Sequence, residues 1–277
     1  MSMTEQSRLV ANIQKTLRTS AALPCDAQGY VSRPEENLLP GVSLDQFKED
    51  LSNGGGRELE RKFLAVHSSS ALAVNSFCPF KNHPEALTVL GRKGFTHLSF
   101  EKQLPTGLKG TPPNLDVFLT GNTHTVAIES KFLEYLTPKK AEYSASYVRD
   151  RFPYAESSWW DVVEESKQGG VQHLDVAQLV KHYLGLKTMI DQKRQTGTSA
   201  SSVCLVYLYW EPVNWMDLSE CRAHREEIVE FSKKVSDAQV TFLSLSYLDL
   251  WREWEVIPAF VEHVQRLQAR YRIAVEV

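Results

Sequence analysis

The chain has 277 residues, 42% of them hydrophobic and 23% charged, with a formal net charge of −3. That length sustains one large domain with a true core or two smaller ones, and the composition excludes wholesale disorder. The slight acidity argues against a general polyanion binder, so any contact with nucleic acid has to rest on a local basic patch.

In chain order, "RLVANIQKTL" carries apolar residues at helical spacing and predicts a short amphipathic helix. From about Ala21 to Pro40, Pro, Gly and Asn predict an irregular lead-in, and "SLDQFKEDL" predicts a helix capped by Ser43. Residues 1–53 are thus expected to be a helical lead-in, and 54–277 a single domain. Gly54, Gly55 and Gly56 break the chain. Leu59, Phe63 and Val66 then fall at i, i+4, i+7, which predicts a helix opening at Glu58. The pattern resumes through Leu72, Val74 and Phe77, with Ser68 to Ser70 marking a kink or a break between two helices.

"THLSFEKQL" alternates as a strand does, and "NLDVFLT" and "HTVAIESKF" predict two more, joined at Gly121 and Asn122. Residues 137–170 are polar and aromatic and read as an insertion with short helices, where Trp159 and Trp160 are expected to pack rather than to stack on bases. "HLDVAQLVKHYLGLKTMIDQKR" predicts a long amphipathic helix. "SSVCLVYLYW" predicts a strand buried on both faces. A helix, the strand "QVTFLSL" and two closing helices follow. This order predicts an α/β fold around one mixed sheet, with extra N- and C-terminal helices. The N-terminal stretch lacks an apolar run of signal length, and no later run is long enough for a membrane span. Cys25, Cys78, Cys204 and Cys221 are far apart and form no CxxC, which predicts reduced thiols in a cytoplasm.

The informative stretch is "PPNLDVFLTGNTHTVAIESKF", where Asp116, Glu129 and Lys131 interrupt two apolar strands. Alternation puts Glu129 and Lys131 on one face of the second strand, and Asp116 on the matching face of the first. If Gly121 to His124 form the loop, Thr120 faces Thr125 and Asp116 lies across from Glu129. A tighter loop leaves the two carboxylates diagonal. Two carboxylates about 4 Å apart repel by roughly 4 kcal/mol at an intermediate dielectric. Such a pair shares a proton or binds a cation, and an oxygen set of this kind suits Mg²⁺. An isolated Glu-x-Lys is more often a solvated face, but here the flanking residues are strongly apolar. Lys131 would face the same site and neutralise charge on a phosphoryl transition state.

Asp116 followed by Glu129-Ser130-Lys131 after a short hairpin resembles the PD-(D/E)xK nuclease superfamily, the restriction-endonuclease-like fold. The strings "SSSALAVN", "LPTGLKGTPPNLDVFL", "IESKF" and "AQLVKHYLGL" are similar to a bacterial group of restriction endonuclease-like proteins. The resemblance covers roughly residues 54–250. It implies a core of helix, three strands, helix and strand, and a metal-dependent hydrolase of DNA, endonuclease or exonuclease. It also implies Mg²⁺, with Mn²⁺ as a substitute, held by Asp116, Glu129 and an acidic residue of the first helix. Glu58 is the first choice for that residue and Glu60 the second. Lys131 would be the catalytic lysine. The helix after the motif would add Gln178, with Lys181 and His182 one turn later on a neighbouring face. Asn114 stands where the superfamily loosely keeps a proline, with Pro112 and Pro113 just upstream. Many nucleases of this fold are homodimers, and no sequence feature here fixes the oligomeric state.

The remaining candidates are weaker. His67, His124, His173 and His182 show no HxxxH or HExxH spacing and are expected to be structural or at the surface. "NGGGRE" lacks the Lys-Ser/Thr of a phosphate loop. The alternative reading is a nuclease-fold protein that binds nucleic acid or a protein partner without cutting, with Lys139, Lys140, Arg149 and Arg151 as its basic cluster.

Overall fold

The computed structural model of the chain describes residues 5–54, 58–108, 112–196 and 202–276. In chain order the helices and strands are α1 (Glu5–Ala21), α2 (Lys48–Asn53), α3 (Ser69–Phe77), β1 (Phe95–Gln103), β2 (Asn114–Gly121), β3 (His124–Lys131), α4 (Ser157–Gln168), α5 (Val176–Gln195), β4 (Ser202–Tyr209), α6 (Ser219–Lys234), β5 (Val240–Ser246), α7 (Tyr247–Glu255) and α8 (Val261–Tyr271).

The strands form one five-stranded mixed sheet in the order β1-β2-β3-β4-β5. The β1–β2 and β2–β3 pairs are antiparallel, and the β3–β4 and β4–β5 pairs are parallel. A hairpin suffices for the antiparallel pairs, whereas the parallel β3–β4 pair needs a crossover, supplied by α5. The continuous apolar run of β4 has its physical cause here: every residue after Ser202 is buried, because helices cover both faces of the sheet. Val117, Leu119, Val126, Ile128 and Val206 pack under α1, α3, α7 and α8. Phe118, Ala127, Val203, Leu205 and Tyr207 pack under α4, α5 and α6. The α4 helix lies within the expected insertion, and its Trp159 stacks on Tyr183 of α5 with ring centroids 4.0 Å apart.

Two local expectations are corrected. No α-helix opens at Glu58. Residues Glu58–Glu60 and Lys62–Leu64 form separate 3-10 turns, and the buried helix α3 begins only at Ser69. The reason is competition for carbonyls. Asn37 donates from Nδ2 to the Phe63 and Ala65 carbonyls at 2.6 and 2.9 Å, and Val31 N–H donates to Leu64 O at 2.9 Å. Ala65 is therefore extended, bridged to Tyr30. Ser68 then starts α3 by accepting the Ala71 N–H on its Oγ at 3.2 Å. Likewise "SLDQFKEDL" splits into a 3-10 turn, Leu44–Gln46, and the short α2. Among the described residues no helix is long and apolar enough to cross a membrane.

Helix α5 reaches the sheet because Gly185 lets it approach the segment after β1. A Cβ at Gly185 would lie 2.9 Å from both Cβ and O of Leu104. Gly185→Ala is expected to destabilise the fold by about 1–3 kcal/mol, the usual cost of overpacking, measured as a lower urea midpoint with an unchanged m-value. An unchanged midpoint would show that α5 and Leu104 separate freely.

Candidate active site

The β2–β3 hairpin pairs Thr120 with Thr125, Leu119 with Val126, Phe118 with Ala127 and Val117 with Ile128. One further step along this register sets Asp116 opposite Glu129. There the pairing passes to a side chain: Asp116 Oδ2 accepts the Ser130 N–H at 2.6 Å. This is the first of the two registers open from the sequence.

Strand β1 adds a residue that sequence reasoning missed. The β1–β2 register pairs Phe100 with Val117 and Lys102 with Leu115, so Glu101 falls opposite Asp116. Its backbone takes φ +48, an uncommon value for a non-glycine residue. Three neighbouring strands thus line up Glu101, Asp116 and Glu129. Alternation alone placed Glu101 in a strand, but the register across the connection from 104 to 113 was not readable.

Helix α5 closes the site from above the sheet. Asp175 caps it, accepting the Gln178 N–H on Oδ1 at 3.1 Å, which fixes the first turn. Lys131 Nζ donates to Gln178 Oε1 at 2.8 Å. His182 Nε2 donates to Glu129 Oε2 at 2.6 Å, with both side chains essentially inaccessible to solvent. Lys131 Nζ also forms an ion pair with Glu129 Oε1 at 2.5 Å. Oε1 is buried, with the Lys131 ammonium as its charged neighbour. Of the two places expected for His182, structural or at the surface, it takes the buried one, in direct contact with the central carboxylate.

The electrostatics follow from this crowding. Burial by itself would raise Glu129, but the charges of Lys131 and His182 outweigh it and hold the carboxyl down to about 2. Asp116 moves the other way. Burial, then the charges of Glu129 and Glu101, push it well above the ordinary carboxylate value, against Lys131 and the Ser130 amide. Burial opposes the Lys131 ammonium, yet Glu129, Glu134 and Asp116 outweigh it and raise its pKa, so it stays protonated. Two neighbouring carboxylates with opposite shifts are the signature of a site too crowded with negative charge to ionise fully.

These groups open into a cleft of about 600 Å³, walled on one side by Ser68, Ser69 and Ser70 at the start of α3. The donor set fits a hard divalent cation. Each carboxylate has one oxygen anchored, Asp116 Oδ2 on Ser130 and Glu129 Oε2 on His182, and Glu129 Oε1 stands beside the Lys131 ammonium. Among the described residues no three carboxylate, imidazole or thiol groups converge as a complete ligand set. A cation here would complete its shell with water and substrate oxygens, as Mg²⁺ does. The Glu58 side chain lies outside the described residues. Glu60 is exposed and does not line the cleft.

The expected basic cluster is not brought together as four. Lys139 and Lys140 line a groove of about 680 Å³ with Lys181 and Tyr147, while Arg149 and Arg151 sit on an exposed 3-10 turn that does not line it. Lys139 pairs with Asp175 at 2.8 Å, and the Lys181 ammonium lies 6.0 Å from the Tyr147 ring centroid. Lys139, Asp175 and Gln178 border both groove and cleft, so the two adjoin.

The raised Asp116 has a thermodynamic consequence. Between the ordinary Asp value and its higher folded value, the folded chain holds a proton that the unfolded chain has lost. Stability therefore falls as pH rises through that window. Glu129 acts with the opposite sign: its contribution is present above the ordinary Glu value and is lost as pH falls toward about 2. In EDTA-containing buffer, Asp116→Asn is expected to melt above the native chain at pH 8, and the difference should shrink toward pH 4. A difference independent of pH would show that Asp116 ionises normally in the fold.

Neither a curated protein nor a solved structure matches the chain. One family does, over residues 8–272, and it is described as Restriction Endonuclease associating with ARP. That match runs from α1 through α8 and takes in the sheet, the cleft and α5, so the chain belongs to this restriction-endonuclease-like family.

Proposed function

We propose that the chain is a metal-dependent nuclease of the PD-(D/E)xK type that hydrolyses phosphodiester bonds in DNA. The observation that carries this reading is the row of Asp116 and Glu129 on paired strands, with Lys131 one pleat along, at the floor of an open cleft. Asp116 and Glu129 would hold Mg²⁺, or Mn²⁺ in its place. When bound, the ion supplies Lewis-acid polarisation of a phosphoryl oxygen and a lowered pKa for water.

The chain's own residues do the rest. Held as an ammonium, Lys131 donates rather than accepts a proton, and its charge stabilises the extra negative charge of the pentacovalent transition state. Gln178 restrains the Lys131 amine through a 2.8 Å hydrogen bond, which limits its rotamers. The serines of α3 leave the cleft wall small and polar, suited to a phosphodiester backbone. The groove beyond Gln178, with Lys140 and Lys181, offers a path for the strand leading away from the cut. Phosphate contacts of this kind position a strand without reading its sequence.

Two experiments test this reading. Linear, supercoiled and single-stranded DNA incubated with Mg²⁺ or Mn²⁺ should be cut by the native chain. Asp116→Asn and Lys131→Ala should each lose about 10²–10³-fold or more, the usual cost of one charge-stabilising group, while keeping a cooperative melt. Cleavage that survives both changes would sink the mechanism. DNA binding without cleavage by the native chain would favour a protein that binds and does not cut. Secondly, Lys140→Glu with Lys181→Glu should weaken DNA binding and reduce the slope of log affinity against log salt by about 1–2, near one unit per lost phosphate contact. An unchanged slope would place the strand elsewhere.

A further inference from the structure

The pairing between β3 and α5 is a match of two repeats. Glu129 and Lys131 are two residues apart on a strand, which separates them by about 6.6 Å on the same face. Gln178 and His182 are four residues apart on a helix, which separates them by about 6 Å on one face. The contacts run in opposite senses, Glu129 with His182 and Lys131 with Gln178. That is the sense required of a helix that crosses back between the parallel strands β3 and β4. One turn of α5 therefore meets both polar positions of β3 at once.

The two contacts differ in kind. Gln178 borders both cleft and groove and faces water. His182 is wholly buried and lies behind Glu129. Its Nδ1 is buried without a hydrogen-bond partner, so the ring's one polar contact among the described residues is Glu129 Oε2. A histidine buried only for packing gains nothing from a bare ring nitrogen; this one is spent on a single carboxylate oxygen. The consequence falls on the other oxygen. With Oε2 fixed on the imidazole N–H, Oε1 is held on the side of the Lys131 ammonium.

We infer that His182 is a positioning residue for the cation site: it orients Glu129 so that Oε1 and Asp116 Oδ1 converge on one ligand. This inference rests on the metal-dependent reading above. Hydrogen bonds that orient a ligating side chain typically govern metal affinity by about 10–100-fold. Leucine at 182 would keep the volume and remove the donor. Glutamine at 182 would keep a side-chain N–H for Oε2.

Calorimetric titration with Mn²⁺, with and without a non-cleavable DNA duplex, decides it. The native chain is expected to bind, His182→Leu to bind about 10–100-fold more weakly, and His182→Gln to recover most of the loss. A role in packing alone would give the reverse order, because leucine fills the site and glutamine brings an amide into it. Equal Mn²⁺ affinity in native and His182→Leu proteins would overturn the inference while leaving the metal site standing. Should the leucine variant fail to melt cooperatively, the glutamine variant decides alone: affinity within a few-fold of native supports positioning, and a loss as deep as that of Asp116→Asn overturns it. Absence of Mn²⁺ binding by the native chain in both titrations would overturn the metal-dependent reading and this inference with it.

Discussion

A single buried anion organises this protein. Glu129 is 1% exposed, in the middle of a sheet covered on both faces, and its carboxyl is held down to about 2. An unpaired charge in such a place is untenable, and removing one partner of a buried pair costs about 3–5 kcal/mol. Glu129 therefore needs Lys131 beside it and His182 above it, and each partner imposes structure in turn. Lys131 must sit one pleat along β3. His182 must sit one turn beyond Gln178 in α5, which is set by the Asp175 cap and by Gly185 where the helix crosses Leu104.

The mixed sheet sets this anion beside the cleft. The antiparallel β2–β3 hairpin brings a second carboxylate, Asp116, onto the same row, and β1 brings Glu101. The parallel β3–β4 pair forces a crossover, and the crossover helix is the element that supplies Gln178 and His182. Backbone pairing between β2 and β3 gives way at Asp116, where the carboxylate takes the Ser130 amide in place of a strand partner. That exchange leaves the cleft open at the carboxylates. Burial and the neighbouring carboxylates displace Asp116 upward, while the charges of Lys131 and His182 displace Glu129 downward.

Much of this was legible because β-strand alternation is local. The apolar run of β4, the hairpin at Gly121 and Asn122, and the shared face of Asp116, Glu129 and Lys131 all follow from period two. Gln178 was accessible only through the resemblance to a known superfamily, and the structure gives it a physical contact with Lys131. The helix expected at Glu58 failed because periodicity cannot see competition. Asn37 and Val31, far away in sequence, take the carbonyls of Phe63, Leu64 and Ala65 that a helix would have used.

The sequence by itself determined the α/β class, the mixed sheet, and that Asp116 and Glu129 share a face with Lys131. These depend on spacing within one element or across one tight turn. Tertiary structure alone decided that Glu101 stands beside Asp116, that His182 turns inward to Glu129, and that Lys139 and Lys140 part from Arg149 and Arg151. Each depends on the register or docking of elements joined by long connections. Many alignments of such elements satisfy the same local pattern, and packing together with the pairing of buried charge selects one.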